Sequence, residues 1–233
     1  MKIVSFWHRV LDVISPRICV MCGRRLSATE DVICNKCNFH LPRTGLAKDA
    51  YNNVMAKLFW GRLPIERASA LFYYEGHSET ANIIYQLKYK GHPEIGYIMG
   101  RMVAREFLSY DFFEGIDGIV PVPLARKRQR QRGYNQSEMI AEGISEATGL
   151  PIFDKVIRRT DFKESQTRMG RWERNKNVED VFQLTDGSRI RGKHLLMVDD
   201  VVTTGATVVA CGQELLKAGN ISLSVVSLGF AKN

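Results

Sequence analysis

Asp199 and Asp200 follow the apolar run 195–198, and Thr203, Thr204, Gly205, Ala206 and Thr207 come within the next seven residues. Ionised carboxylates only accept hydrogen bonds, so an adjacent pair suits neighbouring hydroxyl donors on a sugar. Threonines around a single glycine offer hydroxyl donors and a closely approachable backbone, which suits phosphate oxygens. The order strand, acids, glycine, helix start lies where ligands of open parallel sheets bind. Amides at a helix start add a preference for an anion. A Walker B strand also ends in acids, but the chain carries no G-x4-G-K-[ST] motif to accompany one. Taken alone, the acids leave open a turn with two solvated aspartates.

A second group with chemistry is Cys19, Cys22, Cys34 and Cys37, two C-x2-C pairs separated by eleven residues. Four thiolates are the number that a closed tetrahedral structural zinc site needs. So small a segment holds little core of its own, so the metal would supply folding energy. Two disulfides or an iron–sulfur cluster are the alternatives. Nothing in the sequence signals export, and the paired spacing favours a zinc ribbon over a cluster. His40 just beyond is read as a solvent-facing residue. Cys211 falls in a helical pattern and is read as a small buried side chain.

Positioning these groups requires alternating strands and helices. Strand-like runs fall at 68–74, 118–122, 152–156, 194–198 and 222–228. Helical spacing covers 79–88, 94–109, 135–148 and 207–218, with a short turn near 54–59 in a connector at about 43–66. The expectation is a helix-covered parallel sheet. Its boundaries read as 1–42 for an N-terminal helix and cysteine ribbon, 43–66 for the connector and 67–233 for the main domain. Ile3, Phe6, Trp7, Val10, Leu11 and Ile14 recur at helical spacing. That pattern reads first as packing on the protein's own surface, with a partner or membrane contact as the sharper alternative.

Hydrophobic content of 45% and charged content of 25% are those of an ordinary globular chain. No apolar run is long enough for a transmembrane segment, and the N-terminus is not a secretory signal, so a cytoplasmic protein is expected. A net charge of +8 points to anionic partners without choosing among them. Much of it is local: Arg126, Lys127, Arg128, Arg130 and Arg132 place five cations in seven residues, read as a basic turn. Lys88 and Lys90 flank Tyr89 before Gly91 and read first as helix-end lysines. No nucleophile–base constellation is present. His77, His92 and His194 stand apart, and no catalytic residue is assigned.

The paired acids with T-T-G-A-T resemble the signature of type I phosphoribosyltransferases. Along nearly its full length the chain resembles the ComF family of competence-associated, GntX-like proteins. The four cysteines, the segment 74–91 (YEG…LKYKG), VPVPL…RGYNQ at 120–136, then Arg158, Gln166 and Asn175, and VDDVVTTGAT carry the match in order. The resemblance implies an α/β fold with a type I phosphoribosyltransferase-like parallel sheet behind a four-cysteine zinc ribbon. It implies that Asp199 and Asp200 hold ribose hydroxyls and that Thr203, Thr204, Gly205, Ala206 and Thr207 hold a 5′-phosphate. By position, a diphosphate loop with magnesium would use Pro121, Val122, Pro123, Arg126, Arg132 and Asn135. A lid at about 160–180 would bring Gln166, Arg174 and Asn175.

The implied ligand is phosphoribosyl diphosphate or a related small molecule. Transfer to an unknown acceptor, selected by a hood before Gly118, is the implied activity, in a setting of DNA uptake. A non-catalytic sensor, or a component that binds single-stranded DNA or a protein such as a competence helicase, is the alternative. Aromatics interleave with the basic runs only at Tyr134 and Trp172, which argues against a stacking platform.

Overall fold

The computed structural model describes residues 16–160 and 181–231. The expected N-terminal amphipathic helix and the lid positions Gln166, Arg174 and Asn175 lie outside the described residues.

A four-stranded parallel sheet forms the centre. Its strands are β1 (Ala68–Tyr74), β2 (Gly118–Pro121), β5 (His194–Val202) and β6 (Ser222–Ala231), in the order β1-β6-β5-β2. A separate antiparallel pair joins β3 (Ile157–Arg159) to β4 (Phe182–Leu184). β5 is interior, flanked by β2 and β6, which is why 195–198 reads as a continuous apolar run rather than an alternating one.

The helices are α1 (Asn35–Phe39), α2 (Glu79–Tyr89), α3 (Pro93–Phe107), α4 (Arg126–Arg132), α5 (Gln136–Thr148) and α6 (Ala206–Leu216). Local chemistry sets their starts. The Ser78 hydroxyl caps α2 by accepting from Ala81 N, Pro93 opens α3, and the Asn135 side chain caps α5 by accepting from Ser137 N. α3 and α5 cross closely because Gly143 has no side chain; a Cβ there would lie 2.0 Å from the Tyr97 carbonyl oxygen.

Two apolar layers sandwich the sheet. On one face Leu71, Leu196, Val198, Val226 and Leu228 pack with Ile83, Met99, Phe107 and Ile140. On the other, Ala70, Val120, Leu195, Met197 and Val225 pack with Val208, Cys211 and Leu215 of α6. The cysteine segment joins the first layer through Met21, Leu26, Val32, Ile33 and Leu41. The connector joins the second through Met55, Ala56, Phe59 and Leu63. Among the described residues no helix is long and apolar enough to cross a membrane.

The helix-covered parallel sheet is as expected, and three local readings change. The basic run 126–132 is a helix, not a turn. Its Arg, Lys and Gln residues are good helix formers, and Gly133 ends it at φ 84°. The run 152–156 is not a strand: Ile152 makes one parallel bridge to Ile119, and Lys155 then turns at φ 59°. Pairing resumes only at 157–159, on a different partner. Finally, β5 continues to Val202 because β6 runs beside it (Val201 opposite Gly229, Val202 opposite Phe230), so both acids lie inside the strand.

Candidate phosphate and sugar site

The site is built where β5 meets α6. Residues 203–205 form the whole loop between them, with Gly205 in the left-handed region at φ 72°. The first amides of α6 have no intrahelical acceptor. Thr203, Thr204, Ala206 and Thr207 are exposed, whereas Gly205 and Val208 are buried. The expected phosphate-binding residues therefore share one solvent-facing loop. The connector supports it from behind. Arg62 donates to the Thr204 carbonyl at 2.8 Å and to the Leu58 carbonyl at 3.0 Å, and the Phe59 ring packs on Gly205.

Strand alternation separates the two acids. Asp200 shares the face of Leu196 and Val198, where Lys88 Nζ of α2 lies 2.8 Å from its Oδ1. Asp199 falls on the other face, although its Oδ1 still accepts from the Asp200 amide at 2.9 Å and from the Ser137 hydroxyl at 3.3 Å. Burial first, and then the Asp200 carboxylate, push the Asp199 carboxyl up to about 7. Lys88 and the hydrogen bonds from Asp200 N and Ser137 oppose that shift without cancelling it.

The neighbouring strand β2 leads into the basic helix. Val122 N donates to the Val198 carbonyl, which sets the 121–123 turn beside the acids. Buried Asn135 braces this turn: its Nδ2 donates to the Val122 carbonyl at 3.1 Å and to Glu138 Oε1 at 3.3 Å. With its Oδ1 capping α5, the Asn135 amide group lies behind the loop as a support.

The basic helix divides its arginines between two cavities. Arg128 and Arg132 line one of about 340 Å3 together with Lys88, Tyr89 and Gly91. Arg126 lines another of about 380 Å3 with Pro121, Pro123, Glu138, Arg158 and Arg159. Burial raises the Glu138 carboxyl and lowers the Arg159 guanidinium, with Arg128 adding to the latter and Asp199 opposing it.

Lys88 gains a definite place, beside Asp200. Ser137, Arg159, Arg62 and Phe59 are further members that motif reading did not single out. Their contacts span 62 residues for Ser137–Asp199 and 142 for Arg62–Thr204, so no local spacing signals them. Surface aromatics are also brought to the basic helix. The Tyr85 and Tyr89 rings, both exposed, lie 5.4 Å apart, with Arg132 5.1 Å from the Tyr89 ring and Lys90 5.6 Å from that of Tyr85. The expectation that only Tyr134 and Trp172 interleave with the basic runs is corrected: Tyr89 stands between Lys88 and Lys90 in sequence, and Arg132 reaches its ring from a separate helix.

The four cysteines form a possible metal centre. Their sulfurs all lie within 4.8 Å of one another, and Cys22 Sγ is 3.8 Å from Cys34 Sγ. Tetrahedral zinc with bonds of about 2.3 Å separates its sulfurs by about 3.8 Å, so the set fits a zinc ion. Backbone amides of Cys34 and Cys37 point at Cys19 Sγ (3.3 Å) and Cys34 Sγ (3.5 Å), a supporting shell for thiolates. Burial, then neighbouring thiols, raise the Cys37 thiol, so a cation is what would draw it to the thiolate form.

Comparison with known proteins follows these motifs. No protein-family model matches the chain. DNA utilization protein YhgH of Escherichia coli K12 is 29% identical over 211 residues, covering 89% of this chain and 88% of that protein. Competence protein F of Haemophilus influenzae is 29% identical over 116 residues, 49% of this chain and 51% of that one. Competence protein ComFC of Bacillus subtilis is 28% identical over 101 residues, 43% of this chain and 39% of that one. The chain is thus similar to curated proteins named for DNA utilization and for competence.

Among solved structures, the chain is similar to a glutamine phosphoribosylpyrophosphate amidotransferase of B. subtilis, with 19% identity and a TM-score of 0.42. It covers 60% of this chain but spans only 30% of that longer one. Adenine phosphoribosyltransferase of Leishmania tarentolae gives 12% identity and a TM-score of 0.37, over 76% of this chain and 88% of that protein. At such scores these likenesses carry no weight for the site, which stands on its own residues.

Proposed function

We propose that the chain binds phosphoribosyl diphosphate with magnesium. The 5′-phosphate sits on the 203–207 loop, ribose hydroxyls on Asp199 and Asp200, and the diphosphate in the cavity that Lys88, Arg128 and Arg132 line. The observation that carries this reading is the junction of β5 and α6. There a largely buried strand carries two carboxylates near its end and passes through one left-handed glycine into a helix start edged with exposed threonines. Sugar hydroxyls and phosphate oxygens are the complementary chemistry.

Transfer would be substitution at the anomeric carbon. The bond to diphosphate breaks, an acceptor nucleophile bonds to the opposite face, and a transition state of oxocarbenium character lies between. The chain's part is to orient the ribose and to stabilise the departing diphosphate with Lys88, Arg128 and Arg132. Magnesium prefers hard oxygen ligands and is held largely through ligand oxygens and water; it would supply further neutralisation of the diphosphate.

Phosphoribosyl diphosphate with magnesium should raise the melting temperature by mass action. The Asp199→Asn/Asp200→Asn protein should lose the rise, and no shift in the parent at millimolar ligand sinks the reading. Catalysis is tested by screening diphosphate release across nucleobases and amines. A tight binder that releases none is a sensor.

A second reading is favoured by Tyr85, Tyr89, Lys90 and Arg132: a stacking surface with cations that suits single-stranded DNA. It fits a role with DNA, in keeping with relatives named DNA utilization protein and competence protein.

A further inference from the structure

We propose that Lys88 is an exchangeable counter-ion that couples the two halves of this site. It neutralises Asp200 when the sugar position is empty and moves to the anion when diphosphate enters the neighbouring cavity. The proposal rests on the phosphoribosyl diphosphate reading above and adds how occupancy of one half governs the other.

Four observations carry it. Lys88 Nζ lies 2.8 Å from Asp200 Oδ1, with the two side chains only 24% and 11% exposed, so this is no solvated surface pair. A sugar hydroxyl donating to that oxygen competes directly with the ammonium. The same lysine also lines the 340 Å3 cavity with Arg128 and Arg132, whose described lining contains no acid. Apart from the Asp200 carboxylate that Lys88 reaches, that cavity is a concentration of positive charge. Third, the helix end bearing Lys88 is fixed. The Tyr134 hydroxyl donates to the Leu87 carbonyl, Arg132 sits on the Tyr89 ring, and Leu87 is fully buried. Fourth, the freedom that remains is in the side chain, a flexible four-carbon stem carrying a point charge. From one fixed Cα it borders both positions.

The energetic consequence has a definite sign. An anion between Arg128 and Arg132 attracts Lys88 away from Asp200, which frees the carboxylate for ribose hydroxyls. A ribose on Asp200 likewise releases Lys88 to the anion. Each ligand therefore strengthens the other, and linkage requires the two effects to be equal. A lysine that only bound diphosphate would leave the sugar half indifferent, and a lysine that only stabilised the fold would affect both halves alike.

The test uses ribose 5-phosphate and inorganic diphosphate with magnesium on the full chain at pH 8.5, where Asp199 is ionised in the parent. In the parent, saturating diphosphate should tighten ribose 5-phosphate at least about fivefold, the lower end of ordinary couplings. In Lys88→Met, ribose 5-phosphate alone should bind more tightly than to the parent, and diphosphate should no longer tighten it. In Asp200→Asn, which frees the lysine, diphosphate alone should bind more tightly than to the parent. That variant keeps the idea testable if Lys88→Met does not fold. Coupling that persists in Lys88→Met overturns the proposal, as does unchanged diphosphate affinity in Asp200→Asn. If both ligands bind the parent without coupling, the counter-ion proposal falls and the site reading stands. If neither binds, both fall.

Discussion

The Phe59 ring lies against the α-carbon of Gly205, so close that a Cβ on that glycine would come within 3.0 Å of Cε1. The connector thus closes the back of the loop proposed to hold phosphate. The loop's backbone conformation, at φ 72°, is one that residues with side chains rarely adopt.

Gly205→Ala should therefore act twice. The positive φ alone costs about 1 kcal/mol or more, and the clash with Phe59 adds to it. A lower melting temperature together with loss of the ligand-induced shift is the expected result. Phe59→Ala combined with Gly205→Ala should recover part of the lost ligand response, because the clash is removed while the left-handed strain remains. A Gly205→Ala protein with the parent's melting temperature and ligand response would contradict the geometry.

Asp199 makes a pH-dependent contribution whose direction is fixed. Its carboxyl sits at about 7 in the folded chain against an ordinary value of 3.8. Between those values the folded state holds a proton that the unfolded chain has released. Its contribution to stability is thus full below pH 3.8 and is lost as pH rises through about 7. Asp199→Asn should flatten the fall of melting temperature between pH 5 and pH 8. Ribose hydroxyls need the ionised acceptor, so ribose 5-phosphate should bind more tightly as pH rises through about 7. The comparison with Asp199→Asn separates this effect from titration of the ligand's own phosphate. Identical pH profiles for the two proteins would remove Asp199 from the sugar site.

Metal removal should not be a local event. The cysteine segment shares a buried layer with Leu71, Phe72 and Phe107, and Asn82 of α2 donates to the Met21 carbonyl. One zinc per chain is expected by elemental analysis. Chelation, or Cys34→Ser, should lower the melting temperature of the main transition and not melt a separate early one. Two well-separated transitions would show that the ribbon is energetically independent.

The nucleic-acid reading makes its own demand. Binding of oligo-dT should weaken steeply with salt, and the slope should fall when Arg128 and Arg132 are neutralised. Tyr85→Ala and Tyr89→Ala should each weaken binding by about 1–3 kcal/mol if bases stack on them. Salt-insensitive binding, or binding untouched by both tyrosine changes, would move the contact elsewhere.

The sequence by itself determined whatever is encoded at short range. The spacing of Cys19, Cys22, Cys34 and Cys37 places four sulfurs together because each pair spans one tight turn. The run 195–198 is interior because it is apolar at every position, and the T-T-G-A-T order sets a left-handed turn at a helix start. Tertiary structure decided what depends on distant partners. β5 runs past Asp199 and Asp200 because β6 pairs beyond them, and that alternation sends the two acids to opposite faces. Residues 152–156 lose strand status to a turn at Lys155. Lys88 meets Asp200 across 112 residues of chain, and the Tyr89 ring meets Arg132 of a separate helix. Periodicity and spacing report a residue's neighbours within a turn or two. Charge pairs and stacked rings between elements arise from how those elements pack, which no local pattern specifies.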